Sequence, residues 1–593
     1  MKVKNFACVI FILFLSLLVP FCRKATQEHR LAFGSSESRW VKKVLSRMTL
    51  EEKVGQLVVI PYTGRFFNRD SEEMGELENL IARRNVGGLI LYGGEVYETA
   101  LLTNACQRWA KIPLLVASDL ERGLGSQIQG TTQFPPLMAL GAVEKEDYVY
   151  RLGEITAREA RAIGIHLTYA PVVDVNINPE NPIINVRSFG EDPEDVSRLA
   201  ALFIKGCQDH GLLTTAKHFP GHGDTDKDSH LELPTVSGDL ERLERVELYP
   251  FRKAIEAGVS VIMTAHLSLP ALDPTPDLPA TLSPRIITSL LREELGFEGL
   301  IVSDAMTMDG VTKLYYPEEA AVKAIQAGVD MILKSPATEE VLDALIQSVK
   351  TGVIPEQRID DSVRRVLEAK ARLGLHKKRN VDIEALDQIL ASQPHLQLAQ
   401  QSYEDAITLV KNDDQVLPLL DLDQKVAVFS LSSDPGGYYA GQTLIDELEE
   451  KLPGLISFYA EASTGEEFLK EGKQLAEGAD VLIFALFSAR RARKGSVDLS
   501  LNHIQLVRDA VQTETPVVVV SFGSPYFLRH FPEVEAYLCV YRYTKEAQIA
   551  AAKALLGEIG IKGRLPVSLP DLYPMGHGLI LPKSVDKSYS QRE

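Results

Sequence analysis

Residues 299–306 read GLIVSDAM: a glycine, three large apolar residues, then Ser303 and Asp304. A short, unbroken apolar run bounded by turn residues is the signature of a strand buried on both faces, as in a parallel sheet covered by helices. The same grammar recurs along the first two thirds of the chain. With 299–303, the runs are 56–60, 88–92, 112–117, 167–173, 213–217, 259–266 and 329–333. Amphipathic stretches separate them, among them 194–211 (EDVSRLAALFIKGCQDHG) and 240–258, each closed by a glycine as helices commonly are. Eight such units between residues 38 and 375 fit a (β/α)8 TIM barrel better than an open, doubly wound sheet. Several runs end in a polar or charged residue: Asp119, Asp174, Lys217 with His218, His266, Asp304 and Lys334. In a barrel these ends converge on the C-terminal mouth, where catalytic groups sit, so the pattern points to an enzyme.

Residues 376–400 read as a charged linker, and a second alternating series occupies 401–582. Its apolar runs are 425–431, 455–460, 481–486, 516–522 and 536–541, with helical patterns at 464–476 and 502–513. Five runs with helices between them predict a smaller flavodoxin-like α/β sandwich domain. No phosphate-binding glycine-rich turn follows its first strand. Arg490, Arg491, Arg493 and Lys494 follow its third and read as a solvated loop, the alternative being a ligand contact.

At the N-terminus Lys2 and Lys4 precede an uncharged apolar run from residue 6 to 22, followed by Arg23 and Lys24. Residues 1–24 read as an export leader, either a cleaved signal peptide, a lipidated Cys22 or an uncleaved membrane anchor. Each places the rest of the chain outside the cytoplasm: periplasmic, extracellular or membrane-anchored. Discounting the leader removes four positive charges and moves the net charge from −18 to about −22. Such an acidic surface argues against binding the nucleic-acid backbone. Cys106, Cys207 and Cys539 remain, widely spaced, and read as buried thiols, not a disulfide framework.

The densest chemistry lies at 217–230, KHFPGHGDTDKDSH. The His218–His222 spacing would present two metal ligands on one face only in a helix, which Pro220-Gly221 disfavours. Phosphate cradling by Gly221 and Gly223 lacks the helix start it needs. No metal and no cofactor is expected. Acid/base work remains. In Asp228-Ser229-His230 an extended backbone would point both side chains the same way, so that Asp228 fixes one ring nitrogen of His230 and the other faces substrate. The glycines suggest a mobile loop able to carry the pair over the mouth, and the plain alternative is a solvated polar loop. Asp304 stands where a carboxylate can attack an electrophilic carbon at the centre of the mouth, its plain alternative being a helix N-cap.

These residues resemble the family 3 glycoside hydrolases, and within them the bacterial β-N-acetylglucosaminidase branch. The resemblance is carried by 217–230, NVRSFGEDP (185–193), FPPLMALGA (134–142), IMTAH (262–266) and IVSDAMTM (301–308), and in the second domain by ITLVKNDDQVLPL (407–419) and GRLPVSLP (563–570). β-Glucosidases of the family lack the D-S-H segment. The resemblance implies a retaining exo-β-N-acetylglucosaminidase acting on peptidoglycan fragments (muropeptides) or chito-oligosaccharides. Asp304 would be the nucleophile, His230 the acid/base and Asp228 its paired carboxylate. Asp119, Arg187, Lys217 and His218 would hold the sugar hydroxyls. The chain departs from the family's D-x-E-G-G pattern: residues 119–123 read DLERG, and Gln127 stands where a basic residue is usual. Arg122 could reach the site or cover its rim. Three rival readings are a phosphorolytic N-acetylglucosaminidase, a family 3 β-glucosidase and a non-catalytic envelope glycan-binding protein.

Overall fold

The computed structural model describes residues 35–433, 440–488 and 499–584. The leader and the 490–494 basic cluster lie outside the described residues. Eight parallel strands close into a barrel: β1 (Val58–Gly64), β2 (Gly88–Gly94), β3 (Leu115–Ser118), β4 (Leu167–Thr168), β5 (Leu213–Phe219), β6 (Val261–Thr264), β7 (Leu300–Ala305) and β8 (Met331–Leu333). β1 pairs with β8 through Val58–Ile332 and Val59–Leu333, which closes the cylinder. The unbroken apolar runs follow from this closure. Val59, Leu115, Ala117, Val261, Met263, Leu300, Val302, Met331 and Leu333 pack together inside the barrel. Their neighbours Val58, Ile60, Val116, Ile262, Ile301 and Ile332 join the larger core beneath the surrounding helices. Alternate residues face opposite ways along a strand, so both sets must be apolar.

The helix Pro193–Asp209 starts where expected: Asp192 caps it, accepting from the backbone N–H of Glu194 and Asp195 at 2.9 Å, with Pro193 in the first turn. The stretch 240–258 differs from its predicted single helix. It forms two short ones, Leu240–Arg245 and Tyr249–Glu256, because Pro250 has no N–H to continue a ladder and instead starts the second helix.

The second domain is a six-stranded sheet. β9 (Thr408–Asn412) precedes β10 (Val426–Ser432), β11 (Ile456–Glu461), β12 (Val481–Phe487), β13 (Val517–Ser521) and β14 (Ala536–Cys539), in the spatial order β11-β10-β12-β13-β14-β9. The five expected strands are parallel in the flavodoxin-type order. β9, which the apolar-run pattern missed, is an antiparallel edge strand beside β14.

The two domains share a core. Met138, Ala139 and Ala142 of the barrel are buried in the cluster that holds Tyr526, Tyr537 and Leu565 of the second domain. Gly190 is required here, since a Cβ on it would sit 2.5 Å from the Pro566 carbonyl oxygen. Glu191 accepts from the Ser568 backbone N–H at 2.8 Å and its hydroxyl at 2.5 Å, and Asn176 donates to the Tyr526 hydroxyl at 2.9 Å. The connecting segment is tied to the barrel as well: Asn104 bonds both the N–H and the C=O of Val381. Cys106, Cys207 and Cys539 are buried free thiols. Among the described residues, no helix is long and apolar enough to cross a membrane.

Candidate active site

The inward-facing row of each strand, continued one step past the core, reaches the barrel mouth. On β7 that row is Leu300, Val302 and Asp304. On β5 it runs from Leu213 through Thr215 to Lys217, and past β3 from Leu115 and Ala117 to Asp119. Tyr92 on β2 and Tyr169 just past β4 continue the same rows, close enough for the charges of Asp119 and Asp304 to act on both phenols.

Lys217 is almost fully buried, yet it is charged. Its Nζ lies 2.8 Å from both Asp119 and Glu121. Glu121 in turn receives Nε and Nη2 of Arg187 at 3.0 and 2.6 Å. Two carboxylates facing two cations satisfy the rule that buried charge must be paired. Burial alone would raise the Glu121 pKa, but Arg187 and Lys217 hold it well below the usual carboxylate range.

Asp174 organises the next segment. It accepts from the backbone N–H of His218 at 3.2 Å and of His222 at 2.7 Å, and from Nδ1 of His218 at 2.7 Å. Nε2 of His218 then faces Nη2 of Arg187 at 3.5 Å. His222 is buried between the hydroxyls of Thr225 and Ser229, each 2.9 Å from a ring nitrogen, and burial pushes its pKa down to about 4. A neutral histidine can donate through one nitrogen and accept through the other. The loop is therefore tied along its length: Asn181 adds bonds to the carbonyls of His222 and Gly223 at 2.8 and 3.0 Å. Gly223 has no room for a side chain, since a Cβ would collide with the Val175 carbonyl.

Asp228 and His230 meet, but through a turn and not an extended strand. One oxygen of the buried Asp228 accepts both the His230 backbone N–H and its Nδ1, each at 2.8 Å. A carboxylate only accepts, so Nδ1 carries the proton and Nε2 is left as the working nitrogen. The turn docks on the segment after β7: Gly310 N–H donates to the Ser229 carbonyl at 3.3 Å, and Lys313 Nζ to that of Leu231 at 2.5 Å. This brings the His230 charge within reach of Asp304.

Burial would raise the Asp304 pKa, but His218, His266, the Ala305 N–H at 2.7 Å and His230 together bring it down to about 2. The carboxylate is ionised at any working pH. His266 packs beside it, its ring nitrogens 3.0 Å from the Thr281 hydroxyl and 3.2 Å from the Ala305 carbonyl, and burial lowers its pKa. An ionised carboxylate thus stands opposite a histidine oriented by a second carboxylate.

The family model described as glycosyl hydrolase family 3 N terminal domain matches residues 49–369, and the family 3 C-terminal domain model matches 407–589. The chain belongs to glycoside hydrolase family 3. A β-N-acetylglucosaminidase/β-glucosidase of Cellulomonas fimi is 31% identical over 89% of this chain and 95% of its own length. The solved family 3 β-N-acetylglucosaminidase of Paenibacillus sp. str. FPU-7 is 34% identical, with TM-score 0.79, over 88% of this chain and 99% of that one. A β-glucoside phosphorylase, BglX, bound to 2FGlc, is 28% identical, with TM-score 0.81, over 91% and 97% of the two chains.

This family 3 glycosidase brings all seven residues singled out in the sequence, Asp119, Arg187, Lys217, His218, Asp228, His230 and Asp304, to the barrel mouth and the loop above it. The sequence reading did not single out Glu121 or Asn181 as site residues, weighed His222 only as a metal ligand with His218, and took Asp174 and His266 only as strand ends. Glu121 is the acidic member of the D-x-E pattern, which was its available signal. Gln127 accepts from the Gly93 N–H at 3.1 Å and ties the loop after β3 to β2. Arg122 leaves the Lys217 cluster and lines the domain interface.

Proposed function

We propose that this glycoside hydrolase is a retaining exo-β-N-acetylglucosaminidase, and the Asp228–His230 pair beside Asp304 carries the reading. Asp304 attacks the anomeric carbon while the His230 imidazolium gives its Nε2 proton to the leaving oxygen. Neutral His230 then takes a proton from water, which attacks the anomeric carbon and frees Asp304. Asp228 fixes the tautomer and stabilises the imidazolium without itself being protonated. Asp119, Glu121, Arg187, Lys217 and His218 offer the charged donors and acceptors that bind sugar hydroxyls strongly. The names of the C. fimi and Paenibacillus relatives support N-acetylglucosamine as the sugar.

A second reading shares every residue: phosphate replaces water in the second step. It is favoured by a neutral base, which does not repel an incoming anion, and by the phosphorylase among the similar structures. Export by the leader would give the enzyme wall fragments or chito-oligosaccharides directly. The test is one assay series with aryl N-acetylglucosaminide, aryl glucoside and muropeptide, each with and without phosphate. Release of N-acetylglucosamine that phosphate does not accelerate is the expected result. Formation of sugar 1-phosphate would select phosphorolysis, equal cleavage of glucoside a broad β-glucosidase. Asp304→Ala should abolish turnover while preserving glycan binding, and wild-type turnover in that variant would overturn the mechanism.

A further inference from the structure

Between the domains lies a cavity of about 180 Å³ that borders the sugar site through Glu121 and Arg187 and whose other lining residues the mechanism does not use. The second domain contributes the segments after β12, β13 and β14, through Ser488, Ser524, Arg542 and Tyr543, and the barrel contributes Arg122 and Arg187. In an open parallel sheet, the carboxyl ends of the strands are where ligands bind. Here those ends face the barrel mouth.

The cavity's charge is unbalanced. Arg187 is fully engaged with Glu121, which also serves Lys217. Among the described residues neither Arg122 nor Arg542 forms an ion pair. Glu121, which also lines the cavity, attracts Arg122 but is already held by Arg187 and Lys217, and the two arginines are close enough to repel each other. Among the described residues, buried Nη1 of Arg122 and buried Nε of Arg542 have no hydrogen-bond partner. Burial and the Arg542 charge together push the Arg122 pKa down to about 10, still charged at neutral pH. Two neighbouring guanidinium groups with unspent donors, that of Arg542 lying over the Tyr543 ring, are costly when empty and match a planar or tetrahedral oxyanion.

We propose that this cavity is an oxyanion site, in which Arg122 and Arg542 together bind a phosphate, sulfate or carboxylate group. Its position narrows the source. β3 and β4, whose loops wall the cavity, lie across the barrel from β7. Asp304 and His230 work on the β7 side, so the cavity lies beyond the hydroxyl edge of the sugar, away from the leaving group. The oxyanion is then either an acidic substituent on the sugar being removed, or a free ion. Only the first alternative rests on the glycosidase reading above.

The test uses the full chain in low-chloride buffer. Inorganic phosphate and sulfate, titrated by calorimetry and thermal shift, should bind saturably and raise the melting midpoint. Arg122→Gln and Arg542→Gln should each weaken that binding at least tenfold. Without anion, each variant should melt at the wild-type temperature or above, because a like-charge repulsion is gone, and should turn over aryl N-acetylglucosaminide within about twofold of wild type. A purely structural arginine would lower the anion-free midpoint instead. An aryl 6-O-sulfo-N-acetylglucosaminide separates the sources. A KM that rises in Arg122→Gln for this substrate alone puts the anion on the sugar, whereas free-ion binding without that effect makes the ligand a free ion. Absence of saturable binding beyond a chloride control, or undiminished binding in both variants, overturns the site. Loss of every glycosidase activity with anion binding intact would sink only the glycosidase mechanism.

Discussion

Asp228 does two jobs with one oxygen, and both are local. It closes the turn by accepting the His230 N–H and fixes the ring by accepting Nδ1. Asp228→Asn should keep much of the turn but lose the charge that stabilises the imidazolium. With aryl N-acetylglucosaminides we expect kcat to fall about 10²–10⁴-fold, with KM nearly unchanged. The loss should shrink as the leaving group becomes more acidic, because a good leaving group needs less proton donation. An equal loss across a series of aryl leaving groups would mean that the pair positions substrate instead. That Asp228 and His230 meet, and that Asp304 ends a barrel strand at the mouth, was legible in the sequence because type and spacing carry it, although the pair meets through a turn and not an extended backbone. The roles of Glu121, Asp174 and Asn181 were not, since their partners lie tens of residues away and only the closed barrel brings them together.

The loop after β5 rests on a charged support whose state depends on pH. Arg242 binds Asp224 at 2.7 Å and Glu247 at 2.6 Å, and Glu247 packs directly under Gly221. Burial outweighs the attraction of Arg242 and raises the Glu247 pKa from the ordinary 4.5 to about 7. A carboxyl with a raised folded-state pKa stabilises most below its unfolded value, and that contribution is lost as pH rises towards 7. At about 1.4 kcal/mol per unit, the change is on the order of 3 kcal/mol. Denaturant unfolding between pH 4.5 and 7.5 should therefore show wild type losing stability relative to Glu247→Gln. Parallel profiles would mean that Glu247 stays ionised beside Arg242. Elements differ in how plainly the sequence announces them. The barrel strands are buried on both faces and so leave unbroken apolar runs. β9, reading TLVKN at a sheet edge, leaves almost none, and the break at 246–248 is signalled only by Pro250.

At the scale of the molecule, the two-domain pattern was legible but the shared core was not. Residues 134–142 look like an ordinary helix start after the β3 loop, yet Met138 is wholly buried among residues of the second domain. The segment 185–193 likewise carries Arg187 into the site and Gly190 and Glu191 against Pro566 and Ser568. Interface and site are built on the same chain segments, so they should fail together. Met138→Ala removes buried volume at this junction and should cost about 2–4 kcal/mol. Scanning calorimetry of wild type should show one main transition, and the variant should shift it as a whole by about 2–4 °C. Turnover should be lost over the same temperatures in which the transition occurs. Two resolved transitions, only one of them displaced, would instead mean that the domains unfold separately and that the barrel holds its site without the second sheet.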